Sequence, residues 1–183
     1  MRRVSLDKLP NKKYGVIYAD PPWLFKTRSD KGKDKSPEKH YPVLSLADIC
    51  AMDVSGIAKP DSVLLMWVCD PMLDQAFKVI DAWGFKYKTV GFTWAKTNRK
   101  SLGFFTGLGY WTRGNPEMCL LATRGRPKRK SKSIAQLVIS QRQKHSEKPL
   151  LHKDIEDLVD GPYIELFARK KPRDGWDYWG NEV

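Results

Sequence analysis

Short, continuous apolar runs alternate with segments of helical character, and this alternation constrains the fold of the chain more than any other feature. Residues 14–19 (YGVIYA), 62–68 (SVLLMWV), 86–94 (KYKTVGFTW), 117–123 (EMCLLAT) and 163–168 (YIELFA) are rich in β-branched and aromatic side chains and read as strands, with 137–140 (LVIS) a shorter one. Between them, 45–52 begins with a serine cap. Residues 71–83 follow Asp70-Pro71, a cap and first helical residue, and stop at Gly84; 149–159 ends at Asp160-Gly161-Pro162. Strands that do not alternate polar with apolar residues are those covered by helices on both faces. The expected fold is α/β: one domain over 1–183, with a mostly parallel central sheet flanked by helices. Ligands of such sheets bind beyond the carboxyl ends of the strands.

Residues 17–23, IYADPPW, lie at one such end. A residue before proline is pushed out of the helical region, so Asp20 and Pro21 are both held extended. Neither proline has an N–H, and the segment becomes a stiff bracket rich in acceptors. That suits a flat ring carrying an amino group with two N–H donors, as on a nucleobase. Two acceptors, the Asp20 carboxylate and the Pro21 carbonyl, would draw the amino nitrogen towards tetrahedral geometry and aim its lone pair at an electrophile. Asp20 would stabilise the charge that develops on nitrogen, and Trp23 would stack on the base. A rigid Asp-Pro turn is the plainer alternative. At average usage the string Asp-Pro-Pro-Trp arises on the order of once per million positions, which favours the functional reading.

Charge points the same way. Thirty-three Lys and Arg against 21 Asp and Glu give a net charge of +12, and such a surface attracts polyanions, nucleic acid first. No apolar run is long enough to span a membrane, and the N-terminus lacks the apolar stretch of a secretory signal. The expectation is a soluble, cytoplasmic protein. Cys50, Cys69 and Cys119 are odd in number and far apart; they read as buried thiols rather than disulfides or metal ligands, and the scattered histidines suggest no metal centre.

Further along, HYPVLS (40–45), LLMWV (64–68), WAKTN (94–98), GYWTRGNPEMCLLATRG (109–125), HSEKP (145–149), IELFAR (164–169) and WGNE (179–182) follow the Asp-Pro-Pro-Trp in order. With it they resemble the amino-methyltransferases that methylate adenine. The nearest branch holds the catalytic subunit of the messenger-RNA adenine methyltransferase and its bacterial and phage relatives. The resemblance covers nearly the whole chain. It implies a Rossmann-like domain that binds S-adenosylmethionine and catalysis at Asp20, Pro21, Pro22 and Trp23. Asp20, Pro21, Lys148, Phe167, Arg169, Asn181 and Glu182 would hold the cofactor, with Lys148 between it and the base. Trp23, Tyr41, Trp111, Glu117 and Ser146 would line the target-base pocket. Phe167 also reads as plain core, Arg169 as a surface charge, Trp111 as a loop anchor and Lys148-Pro149 as a helix opening. The strand end Phe167-Ala168-Arg169-Lys170-Lys171 has no glycine, so the backbone does not wrap a cofactor as glycine-rich turns do.

Two basic segments, 26–40 and 124–132, adjoin these motifs and are expected to flank the mouth of the site and hold phosphates. Neutralising Lys128, Arg129 and Lys130 is then expected to weaken binding and flatten its salt dependence. The 27–40 loop is expected to order over a base flipped from its stack. Gly-Leu-Gly at 107–109 reads as a flexible, substrate-facing loop rather than a phosphate cradle. The leading functional expectation is methylation of the adenine 6-amino group in DNA, by a compact bacterial or phage-like enzyme that works as a homodimer or with a paralogous partner. The same chemistry on RNA comes second. A non-catalytic nucleic-acid-binding subunit, or a methyltransferase of small amines, are the readings from other classes.

Overall fold

The computed structural model describes residues 8–24, 43–142 and 147–180. Among these residues seven strands form one sheet: β1 (Tyr14–Ala19), β2 (Ala58–Val68), β3 (Lys86–Thr97), β4 (Glu117–Arg124), β5 (Leu137–Gln141), β6 (Tyr163–Leu166) and β7 (Trp176–Trp179), in the order β5-β3-β4-β2-β1-β6-β7. β1 pairs in parallel with β2 and β6, β6 with β7, and β3 with β5. β4 runs antiparallel to both its neighbours, β2 and β3. The sheet is mixed but mostly parallel, in agreement with the sequence reading.

The apolar runs lack alternation because both faces are covered. On one face Ile17, Ala19, Leu64, Met66, Leu120, Ile164 and Leu166 pack under helices α1 (Leu46–Ala51), α2 (Val54–Ile57) and α3 (Leu73–Ala82). On the other, Val16, Tyr18, Leu65, Trp67, Trp94 and Cys119 pack with Leu151, Ile155 and Val159, of and beside α4 (His152–Leu158). Neighbouring residues of one strand thus enter two different cores, the period of two that a pleated strand imposes.

Local signals account for the helix ends. Ser45 Oγ accepts from the Asp48 N–H at 3.1 Å and caps α1. α3 ends at Gly84, whose φ of +78° suits glycine. There Phe85 N–H reaches the Ile80 carbonyl and Gly84 N–H the Asp81 carbonyl, both at 3.0 Å, a Schellman pairing that satisfies the last carbonyls.

Several expectations need correction. Asp70 does not cap a helix from 71 to 83: Asp70–Met72 form a 3₁₀ turn without a side-chain cap, and α3 begins at Leu73. The strand expected at 62–68 begins at Ala58, because the register jumps from Tyr14↔Ala58 to Val16↔Val63 and Pro60 sits in that irregularity, where a missing N–H is tolerated. β3 runs three residues further than expected, to Thr97. β7 carries a weak strand signal because it is only four residues long and interrupted by Asp177, so the sequence reading does not include it. Only Cys119 is fully buried; Cys50 and Cys69 are partly exposed, and all three are free thiols.

Candidate active site

The carboxyl ends of β1, β2, β3 and β6 converge, and antiparallel β4 contributes its first residue to the same edge. β1 is the point where the sheet order reverses, with β2 on one side and β6, reached after α4, on the other. A crevice is expected there. Asp20 stands at it: its backbone N–H meets the Leu166 carbonyl at 3.4 Å. The bracket is tied down beyond that point. Trp23 N–H closes on the Pro21 carbonyl at 2.8 Å, and Leu44 N–H takes the Pro22 carbonyl at 3.0 Å. A carbonyl oxygen has two lone pairs, so Pro21 keeps acceptor capacity.

A chain of alternating charges fills this edge. Arg169 Nη2 lies 3.9 Å from Asp20 Oδ2. Lys148 Nζ lies 3.2 Å from Asp20 Oδ1 and 2.7 Å from Glu117 Oε2. The other Glu117 oxygen holds Lys96. Lys148 stands over the Trp67 ring at 5.5 Å and Lys96 over the Trp94 ring at 5.2 Å, both within cation–π range. Burial pulls the Lys148 ammonium towards neutrality, but Asp20 and Glu117 outweigh it and hold its pKa above the ordinary lysine value. Burial likewise pushes Glu117 up, and Lys148 and Lys96 reverse this, leaving its carboxyl below the usual range. Cys69, just past β2, is driven to about 12, by burial first and then by Glu117.

The structure thus brings together Asp20, Lys148, Arg169 and Glu117. Phe167 is next to them in the chain, directly after β6. Its φ is +63°, a left-handed backbone that costs a non-glycine residue energy and is often held at working sites. Its ring meets Trp179 edge-on at 5.5 Å. Tyr41, Ser146, Asn181, Glu182 and the 27–40 loop lie outside the described residues.

Trp111 stands in the loop between β3 and β4 that leads into Glu117, 93% exposed, with φ +68° and an edge contact to Tyr110. Two expectations do not hold. Trp23 is only 5% exposed and packs in the core beneath α1. Its indole N–H donates to the Trp67 carbonyl at 3.0 Å, so its ring is not a platform for a base. The bulky residue after two prolines is turned inward to close the bracket onto β2. Lys128, Arg129 and Lys130 lie at the opposite edge of the sheet. β4 is antiparallel, so it carries the chain from Glu117 at the crevice to Arg124, which pairs with Ser62 near the start of β2, about 24 Å away at strand spacing. There Arg129 bridges to Val159, and Lys130 holds Asp160 at 3.0 Å.

Sequence reasoning passed over Lys96, Trp67, Trp94 and Asn115. One signal was present: in Trp94-Ala95-Lys96 a lysine two residues from a tryptophan shares its strand face. The Gly-x-Gly loop is also more ordered than expected. Asn115 bonds Lys96 and Phe105, Arg113 Nε donates to the Gly107 carbonyl at 2.6 Å, and Gly107 N–H meets the Gly114 carbonyl at 2.7 Å. A side chain at Gly109 would strike the Thr112 carbonyl oxygen.

Comparison with known proteins agrees with this geometry. The MT-A70 family profile matches residues 14–182. The chain belongs to the MT-A70 family. Among its relatives, the type II methyltransferase M.MunI of Mycoplasma sp is 34% identical, over 96% of this chain and 80% of that protein. The human N(6)-adenosine-methyltransferase catalytic subunit METTL3 is 26% identical, over 93% of this chain but 28% of that protein. An MT-A70-like N(6)-adenosine-methyltransferase of Arabidopsis thaliana is 25% identical, over 93% of this chain and 24% of its own length. The chain therefore spans most of the mycoplasmal relative and about a quarter of these two eukaryotic ones. The family is one of methyltransferases, and the sheet edge at Asp20 is the candidate site for that chemistry. Among the described residues no helix is long and apolar enough to cross a membrane, and no group of three or more His, Cys, Asp or Glu is placed to hold a metal ion.

Proposed function

We propose that this protein transfers a methyl group from S-adenosylmethionine to the exocyclic 6-amino group of adenine in DNA. The observation that carries this reading is the Asp20 carboxylate, fixed at the sheet's switch point between Lys148 and Arg169. The residues present suit the cofactor: a carboxylate for a sulfonium cation, and the partly buried Phe167 ring, braced edge-on by Trp179, for an adenosine. S-adenosylmethionine, when bound, supplies a methyl group activated as a sulfonium. Asp20, Pro21, Phe167, Arg169 and Lys148 would hold it, with Asn181 and Glu182 following Gly180 to complete the set.

The acceptor side of the reaction falls to the chain itself. Asp20 and the Pro21 carbonyl accept the two amino N–H groups and aim the nitrogen lone pair. Asp20 balances the charge that grows on nitrogen as it bonds to the methyl group, whose bond to sulfur breaks in the same step. The nitrogen then releases one of its two protons to solvent and is left a neutral secondary amine. Lys148 and Arg169 fix the rotation of that carboxylate, so little reorganisation remains for the transition state. Glu117 would line the base pocket, a role the family resemblance also gives to Tyr41 and Ser146. Trp23 acts from below as the tie between the bracket and β2.

DNA is placed first because the similarity to the mycoplasmal type II enzyme is higher and extends over most of that protein. RNA is the second reading, favoured by the relatives named as N(6)-adenosine-methyltransferases. The test is to incubate the protein with labelled S-adenosylmethionine and, separately, duplex DNA, single-stranded DNA and RNA, then digest each and identify the nucleosides by mass spectrometry. Methyl on the adenine amino group of DNA is the expected product. Methyl found only on RNA selects the second reading, and transfer to no polymer rejects both.

A further inference from the structure

Lys96 lies one step behind the residues just assigned. We propose that Lys96 is a positioning residue: by holding one oxygen of Glu117 above Trp94, it keeps the other oxygen on Lys148 and so sets where Lys148 holds Asp20. This rests on the reading of Asp20 given above.

Lys96 is held at several points. Its backbone N–H donates to Asn115 Oδ1 at 3.0 Å, and its carbonyl accepts from Asn115 Nδ2 at 2.9 Å and from the Phe105 N–H at 2.8 Å. One side-chain amide therefore brackets the residue on both sides. Its ammonium lies over the Trp94 ring, and that ring is locked in turn because its indole N–H donates to Ser140 Oγ at 2.8 Å. Lys148 rests on a matching support: Trp67, whose indole N–H donates to Tyr18 Oη at 2.7 Å. Two anchored tryptophans thus carry two lysines, and one carboxylate spans them. The Lys96 and Glu117 side chains are each only 13% exposed, so this cation is turned inward, away from any phosphate.

The geometry explains why two lysines are present. A carboxylate paired with Lys148 alone has one oxygen to spare and is free to rotate about its last bond. Lys96 fills that oxygen and removes the rotation. The groups that bear on Glu117 come from several elements: Lys96 from β3, Lys148 before α4, Asp20 after β1 and Cys69 after β2, with Arg169 acting through Asp20. Of these, Lys96 and Lys148 hold its carboxyl ionised.

Lys96→Met keeps the length of the side chain and removes its charge. The Glu117 carboxyl, followed by carbon-13 NMR, is expected to titrate at higher pH in Lys96→Met than in the wild type. That readout needs no enzymatic activity, so it tests Lys96 even if the methyl-transfer reading fails. In the methyl-transfer assay kcat is expected to fall about a hundredfold, the loss that a displacement of order 1 Å brings. The acid limb of its pH profile should move upward, and KM for nucleic acid should stay unchanged. Lys96→Arg should recover most of the rate, and in a Glu117→Gln background Lys96→Met should cost nothing further. An unmoved Glu117 titration overturns the proposal. So does a loss confined to KM that grows with salt, which would make Lys96 a phosphate ligand, or a full additional loss in the Glu117→Gln background.

Discussion

Asp20 and Trp23 are three residues apart in one motif, yet the structure separates their roles. Asp20 is a partly exposed carboxylate between two cations. Its replacement removes charge rather than core volume, so Asp20→Ala is expected to fold with a near wild-type circular dichroism spectrum and to lose methyl transfer by about 10²-fold or more, on the order of one preorganised electrostatic interaction. Trp23 is core. Trp23→Ala should cost about 3–5 kcal/mol and lower Tm by on the order of 10 °C for a chain of this size. Trp23→Phe loses chiefly the bond to the Trp67 carbonyl and should cost about 1 kcal/mol. If instead Trp23→Phe left Tm unchanged and abolished turnover, the ring would be meeting substrate after all. Cys69 offers a separate check. With its thiol driven to about 12, it should react with iodoacetamide at about pH 8 far more slowly than an ordinary cysteine, by mass-spectrometric mapping.

The direction of a single element, β4, decides which basic residues can reach a substrate. Because it runs antiparallel, the loop with Lys128, Arg129 and Lys130 is carried away from Asp20, and neutralising those three should leave the salt dependence of nucleic-acid binding unchanged. The basic residues at the crevice edge of β3 and β5 are Arg99, Lys100 and Arg142, just past Thr97 and Gln141. Replacing Arg99 and Lys100 with glutamine should weaken binding to all sequences and lower the slope of log K against log salt by about one for each phosphate the protein no longer neutralises. A titration of fluorescent oligonucleotide at several salt concentrations distinguishes the two loops. The reverse pattern would return the substrate to the 124–132 loop.

For the whole molecule, the charged chain at the crevice also sets how stability responds to pH. Glu117 is depressed in the folded state, so its contribution is present above the carboxyl's unfolded pKa and is lost as pH falls through the lower folded value. Lys148 is raised, so its contribution is full below the unfolded lysine value and is lost as pH rises through the higher folded one. Between these limits the cluster should favour the folded state evenly. Thermal melts are expected to show Tm falling below about pH 4.5, the unfolded carboxyl range, and Glu117→Gln should flatten part of that fall. A Glu117→Gln protein with the same acid slope as the wild type would show that other carboxylates govern it.

Much of this was legible from residue order. The strands, the Ser45 cap, the Gly84 stop and the Asp-Pro-Pro-Trp bracket are local features, written in apolar periodicity and in the backbone limits of glycine and proline. The strand that stops one residue short of Asp20 and the carboxyl-end rule place the site from residue order alone. Strand direction was not legible, because an apolar run looks the same read up or down a sheet; only the pairing of β4 with β2 and β3 moved one basic loop away from Asp20. Nor was the inward turn of Trp23, since an aromatic residue suits a core or a platform equally well until its neighbours are known. By itself the sequence determined the elements and one reactive carboxylate, because both follow from short-range sterics and chemistry. Only the tertiary structure decided that Lys96, Glu117, Lys148, Asp20 and Arg169, scattered along most of the chain, form one line of charges, because that depends on which strand edges lie side by side.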